Sequence, residues 1–65
     1  MNESLWKTFN AIVGRVEKYE ARRMFHMGEL EGFTQALTFC CELPIEEYEQ
    51  MLKIQRELRK RYGSL

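Results

Sequence analysis

The stretch "HMGELEGFTQALTFCCELP", His26 to Pro44, decides how the chain folds, because it holds two of the four glycines and the only proline. Either Gly28 and Gly32 interrupt a helix, or a helix continues through them. Apolar residues on both sides keep one phase when counted from Leu5 in alternating steps of four and three, at Leu5, Phe9, Ile12, Val16, Tyr19, Arg23, His26, Leu30, Phe33, Leu37 and Cys40. A repeat of 3.5 residues is typical of helices packed side by side as in coiled coils. A loop would have no reason to preserve this phase, so the pattern predicts one helix over about residues 4–41. A break at Gly28 is the alternative.

Pro44 ends this helix, because the residue before a proline disfavours helical geometry. Proline suits the first turn of a new helix, and the acidic "IEEYEQ" that follows complements its positive end. The basic "LRKRY" complements the negative end, with Gly63 as a C-cap. The sequence therefore predicts a second helix over about residues 44–62. The fold class is all-α, a helical hairpin that forms a single domain over residues 1–65.

Glycine inside a helix costs about 1 kcal/mol relative to alanine, so Gly28 and Gly32 need a reason. A second seam of the long helix combines small residues with two phenylalanines, and it would let another helix approach closely. We expect the hairpin to pack through Phe25, Gly32, Ala36, Phe39, Tyr48 and Leu52. The alternative is that Gly14 and Gly28 lie on an exposed edge.

The predicted long helix overshoots the short one by about five turns. Its uncovered apolar stripe predicts an antiparallel dimer or a larger helical bundle. The expected interface is Leu5, Phe9, Ile12, Val16, Tyr19, Arg23, His26 and Leu30. Within it, Arg23 and His26 would form a polar pair that fixes the register. A pH-sensitive switch is the alternative for His26.

Composition excludes several function classes. Ten basic residues balance ten acidic ones, which argues against a general electrostatic grip on nucleic acid. Cys40 and Cys41 are adjacent and only one histidine is present, so the spacing of a zinc site is missing. Two free cysteines and a start without an export signal predict a cytoplasmic protein. We expect no catalytic, cofactor or metal site, no membrane span and no enzymatic activity.

The predicted function is therefore binding to another protein. The expected contact residues are Trp6, Met24, Met27, Glu46 and Glu49, in which adaptable methionines and an indole ring would serve as anchors. One alternative is a nucleic-acid-binding regulator that uses the basic cluster Arg56, Arg59, Lys60 and Arg61 of a dimer. The other alternative is a structural or scaffold subunit.

Two segments also resemble known proteins. "GELEGFTQAL", Gly28 to Leu37, followed by "IEEYEQML", Ile45 to Leu52, is similar to a pattern in small helical proteins of bacteriophages and prophages. In those proteins a glycine-spaced segment precedes a short acidic helix. The resemblance implies an inhibitor or regulator that binds a bacterial enzyme, repressor or defence component inside the host cell. It implies no particular contact residue.

Overall fold

The computed structural model describes residues 3–40 and 43–62, without the side chain of Cys40. Three α-helices and one short 3-10 turn account for nearly all of them. The helices are α1, Glu3–Lys18; α2, Arg23–Cys40; and α3, Ile45–Tyr62, with the 3-10 turn Glu20–Arg22 between α1 and α2. The predicted all-α class is confirmed. The expectations for Cys41 and for Gly63 as a C-cap lie outside the described residues.

The prediction of one helix over residues 4–41 is wrong. The chain leaves helical geometry at Tyr19, where φ is −98° and ψ is 87°, and it folds back so that α2 packs on α1. The alternative break at Gly28 is also wrong, because α2 continues through both glycines. The heptad phase survives the turn because α1 and α2 each turn an apolar face toward the same core. Periodicity alone does not distinguish one long helix from two helices that share a core.

Arg23 stabilises this reversal. Its Nε donates a hydrogen bond to the Val16 carbonyl at 2.8 Å, and its Nη2 donates to the Glu17 carbonyl at 3.2 Å. The last carbonyls of a helix have no partner within the helix, so a guanidinium here satisfies acceptors that the end of α1 exposes. The Arg23 guanidinium also lies over the Tyr62 ring, 4.1 Å from its centroid. One side chain thus ties together the end of α1, the start of α2 and the end of α3.

Side-chain contacts establish the relative directions of the helices. Phe9 and Phe33 join α1 to α2, with ring centroids 6.5 Å apart. The Trp6 Nε1 donates to Glu47 Oε1 at 2.5 Å, which brings the starts of α1 and α3 together. At the other end, Arg61 of α3 lies 3.9 Å from the Glu17 carboxylate of α1. The fold is therefore a three-helix bundle in which α2 runs antiparallel to both α1 and α3.

The core lies between the three helices and buries the apolar face of α1 within one chain. Its buried apolar members are Phe9, Ile12, Val16, Met27, Leu30, Leu37, Met51 and Leu58. The expected dimer interface is corrected by this packing, because Phe9, Ile12, Val16 and Leu30 are 0 to 4% exposed in a single chain. Leu5 packs against the same core, while Tyr19 remains 47% exposed. The stripe therefore needs no second copy to cover it.

The start of α3 agrees with the sequence. The Pro44 carbonyl accepts hydrogen bonds from the backbone N–H groups of Glu47 at 3.0 Å and Tyr48 at 3.1 Å. Glu46 and Glu47 lie in the first turn, and Arg59, Lys60 and Arg61 lie in the last. These charges complement the helix dipole as predicted.

Candidate protein-interaction surface

The side of α2 that faces away from the core is apolar. Its residues follow from about 100° of rotation per helical position, opposite the buried side chains of Met27, Leu30 and Leu37. We call this set the outer face of α2, and it consists of Phe25, Gly28, Gly32, Ala36 and Phe39. All five are exposed, with Phe25 at 64% and Phe39 at 83%.

The outer face corrects the predicted hairpin packing. Phe25, Gly32, Ala36 and Phe39 were expected to contact the second helix, but all four are exposed. The α3 helix packs instead on the opposite side of α2, where the hydroxyl of the buried Thr34 is hydrogen-bonded to the side chain of Gln55. Tyr48 and Leu52 are half-buried, and Tyr48 packs against the core. A helix that packs against two neighbours buries the side that faces both of them. The sequence of α2 has two apolar seams and does not indicate which one is buried.

Within residues 3–40 and 43–62, nothing beyond the neighbouring backbone of α2 packs against its glycines. A Cβ atom built at Gly28 or at Gly32 meets no heavy atom within 4 Å, and the same is true of Gly14 in α1. None of these three has a positive φ. The prediction of close packing by Gly32 within the hairpin is therefore wrong, and the exposed-edge alternative describes the single chain.

The outer face bears no charge, and the acids beside it are engaged by basic groups. Measured around the helix axis from Gly32, Glu29 lies about 60° to the α1 side and Glu31 about 100° to the α3 side. Glu31 is paired with Arg59 of α3 at 2.8 Å. Glu29 is paired with Arg15 of α1 at 3.4 Å and with the Nδ1 of His26 at 2.9 Å. The hydrogen bond from His26, helped by the positive charge of Arg15, lowers the pKa of Glu29. The outer face of α2 is therefore an apolar strip bordered on both sides by paired charges.

A cleft between α2 and α3 is lined by Thr38, the sequence neighbour of Phe39. The cleft has a volume of about 180 Å³ and is lined by Leu37, Thr38, Leu43, Ile45 and Tyr48. Ile45 is 61% exposed at its rim. The start of α3 therefore also exposes an apolar side chain.

The predicted contact residues do not form one surface. Met27 is 1% exposed, so its assignment to a partner surface is wrong. Trp6 is half-buried, and its ring is nearly perpendicular to that of Phe9, with the ring centroids 5.6 Å apart. Met24 lies at the start of α2, and Glu46 and Glu49 lie near the start of α3. Because α2 and α3 are antiparallel, these starts are at opposite ends of the bundle.

The polar pair predicted at the dimer axis is satisfied within the chain. His26 is 9% exposed and contacts the rings of Phe25 at 5.2 Å and Tyr19 at 5.9 Å. Arg23 donates hydrogen bonds to the carbonyls of Val16 and Glu17 of its own chain. Two polar residues in an apolar seam were a visible sign of the chain reversal after α1, but the sequence prediction did not include this reversal.

The basic cluster of α3 is partly neutralised. Arg59 pairs with Glu31, and Arg61 lies 3.9 Å from Glu17. Within residues 3–40 and 43–62, no three His, Cys, Asp or Glu side chains are placed to hold a metal ion. No helix in the described part of the chain is long and apolar enough to cross a membrane.

No protein-family model matches this chain, and neither a curated protein nor a solved structure matches it. The resemblance to phage proteins accordingly stays a prediction.

Proposed function

We propose that this protein is a non-enzymatic helical module that works by binding another polypeptide through the outer face of α2. One observation supports the proposal above all: Phe25 and Phe39 are 64% and 83% exposed on a helix face without charge. Single exposed apolar residues are common, but a contiguous apolar strip on a small protein marks an interaction surface.

The shape of the strip favours a polypeptide over a small ligand. The nearby cleft of about 180 Å³ is smaller than the roughly 300–1,000 Å³ of typical ligand pockets. Phe25 and Phe39 are fourteen residues apart in sequence, which on a helix is about 21 Å. The positions between them are small, so a second helix can lie along the strip with an aromatic ring at each end. Aromatic anchors dominate such interfaces.

Site-specific photo-crosslinking in cells that naturally produce the chain tests the proposal. A benzophenone amino acid replaces Phe39 in one variant and Lys53, an exposed residue of α3, in the control. We expect protein adducts from position 39 and none from position 53. Adding Phe25→Glu to the first variant should abolish them. Equal adducts at both positions, or none at position 39, would contradict the proposal.

A further inference from the structure

We infer that the outer face of α2 binds a second copy of this chain, antiparallel, around a two-fold axis that passes beside Gly32. This inference rests on the proposed function and names the partner for the same surface. The outer face is symmetric about Gly32, because Phe25 and Phe39 lie seven residues to either side, and Gly28 and Ala36 lie four residues to either side. A foreign partner requires no such symmetry. An isologous dimer requires a patch that is complementary to itself.

The two-fold axis pairs unlike positions in a consistent way. Phe25 of one copy meets Phe39 of the other at both ends of the interface. Gly28 meets Ala36, and Gly32 meets Gly32 at the centre. Small residues at the centre allow two helix backbones to approach closely. The open space around the absent Cβ atoms of Gly28 and Gly32 within one chain is then filled by the second α2.

The small residues alone do not identify a partner. The symmetry of the outer face about Gly32 indicates a second copy, and the area of the phenylalanine rings sets the expected strength of binding. An aromatic side chain contributes about 150–250 Å² when fully buried. At 64% and 83% exposure, the four rings of a dimer contribute on the order of 600 Å². That is about half of the roughly 1,200 Å² at the lower end of specific interfaces. The adjoining side chains supply more, so we expect a weak, reversible dimer.

Met24 and the cleft supply a second complementary pair. Met24, Glu31 and Thr38 are spaced by seven residues, so they lie on the same side of α2, the side that faces α3. The proposed two-fold places Met24, which is 46% exposed, at the level of residue 40 in the second copy. The second copy presents its cleft there, lined by Leu37, Thr38 and Ile45. An exposed thioether therefore meets an apolar recess at each end.

The border charges permit this arrangement. Glu29 and Glu31 are paired with basic residues of their own chain. The two-fold keeps the α3 border of one copy beside the α3 border of the other, so the two Glu31 residues lie on the same border, about 3 Å apart along the helix axis. Each Glu31 keeps the Arg59 of its own chain at 2.8 Å, so this border carries two neutralised pairs. The two Glu29 residues lie on the other border, about 9 Å apart along the axis.

Sedimentation equilibrium of the purified chain tests the dimer. From about 10 µM to about 1 mM we expect the mass to rise from 7.9 kDa toward twice that value, as for a small interface. Gly32→Leu should weaken the dimer at least about tenfold, whereas Gly14→Leu, at an exposed helical glycine with equally open surroundings, should leave it unchanged. A chain that stays monomeric at 1 mM overturns the inference. Equal or tighter association of Gly32→Leu also overturns it, because added apolar surface would then drive non-specific association.

Mixing two charge variants tests the orientation. Phe25→Glu and Phe39→Lys should each dimerise at least about tenfold more weakly than the natural chain, because each places a charge against phenylalanine at both ends. Mixed together, an antiparallel pair regains one phenylalanine pair and one Glu–Lys pair, so the mixture should associate at least about tenfold more tightly than either variant. No gain on mixing would overturn the antiparallel arrangement. Both positions are exposed, so thermal unfolding should show both variants folded.

The two proposals fail differently. A monomeric purified chain whose position 39 crosslinks a foreign protein in cells would overturn the second copy and leave the proposed function standing. Absence of adducts at position 39, together with a monomer at 1 mM, would overturn both.

Discussion

The inner and outer faces of α2 are both apolar, yet the bundle covers only one of them. The inner face contributes Met27, Leu30 and Leu37, each at most 7% exposed, whereas the outer face leaves Phe39 at 83%. The difference lies in what each face can offer its neighbours. The inner face has branched and flexible aliphatic chains that fill the space between α1 and α3. The outer face has two rings separated by small residues, which suits a separate helix laid along it.

The largest expected effect is the difference in unfolding free energy between substitutions on the inner face and on the outer face of α2. Leu30→Ala removes a side chain that is 0% exposed and should lower the free energy of unfolding by about 2–5 kcal/mol. Phe39→Ala removes a larger side chain but should change it by no more than about 0.5 kcal/mol. Chemical denaturation at about 5 µM, where the chain is monomeric in our scheme, measures both. A comparable loss from Phe39→Ala would show that the outer face is packed within the chain.

The next effect concerns Arg23, which holds the fold-back that makes one face of α2 an inner face. Arg23→Ala removes two charge-assisted hydrogen bonds to α1 carbonyls and the contact with Tyr62, and should cost about 2 kcal/mol. Arg23→Lys should recover only part of this, because an ammonium lacks the fork that reaches two carbonyls. Arg22→Ala, at an exposed position in the same turn, should stay within about 0.5 kcal/mol. Equal costs at positions 22 and 23 would contradict the role of Arg23.

Arg23 also shows which part of the fold the sequence does not predict. The helical class, the end at Pro44 and the polarity of α3 follow from local chemistry, and the structure agrees with them. The turn at Tyr19 has no glycine or proline to mark it. It forms because folding back buries Phe9, Ile12 and Val16, a gain that local propensity does not record. Arg23 was visible as a polar break in the seam, but its carbonyl partners are set by tertiary structure.

The outer face was equally visible and was assigned to the wrong neighbour. Phe25, Gly32 and Phe39 form a seam that is apolar, as the pattern predicts, but the close approach of a helix predicted at Gly32 is absent within the described residues. Which of two seams lies inside depends on how three helices share space, and a two-helix hypothesis had only one neighbour to assign. Exposed helix faces are usually polar, and the outer face of α2 is an exception. Such exceptions are expected at functional sites.

Replacing the exposed glycines of α2 should have a smaller effect, in the stabilising direction. Gly28→Ala and Gly32→Ala should each raise the free energy of unfolding of the monomer by about 0.5–1 kcal/mol, because a helical alanine loses less entropy and its Cβ meets no atom within 4 Å. Gly14→Ala on α1 should do the same and is the matched control. Thermal unfolding of dilute protein tests all three. A loss of stability at Gly32 alone would mean that α2 is already closely packed there in the monomer.

The smallest effect lies at Glu29, on the border between the two faces. Its pKa is lowered in the folded chain by the hydrogen bond with His26 and by Arg15. A carboxyl with a lowered folded pKa adds stability above its unfolded pKa of about 4.3 and loses that contribution as the pH falls through the folded pKa. Glu29→Gln should therefore be less stable than the natural chain at pH 7, and this difference should shrink by pH 3. Glu49→Gln, on the exposed side of α3, is the control. A difference that is the same at pH 7 and pH 3 would show that the carboxylate charge does not hold this border, and that the pair of Glu29 with His26 only fills space.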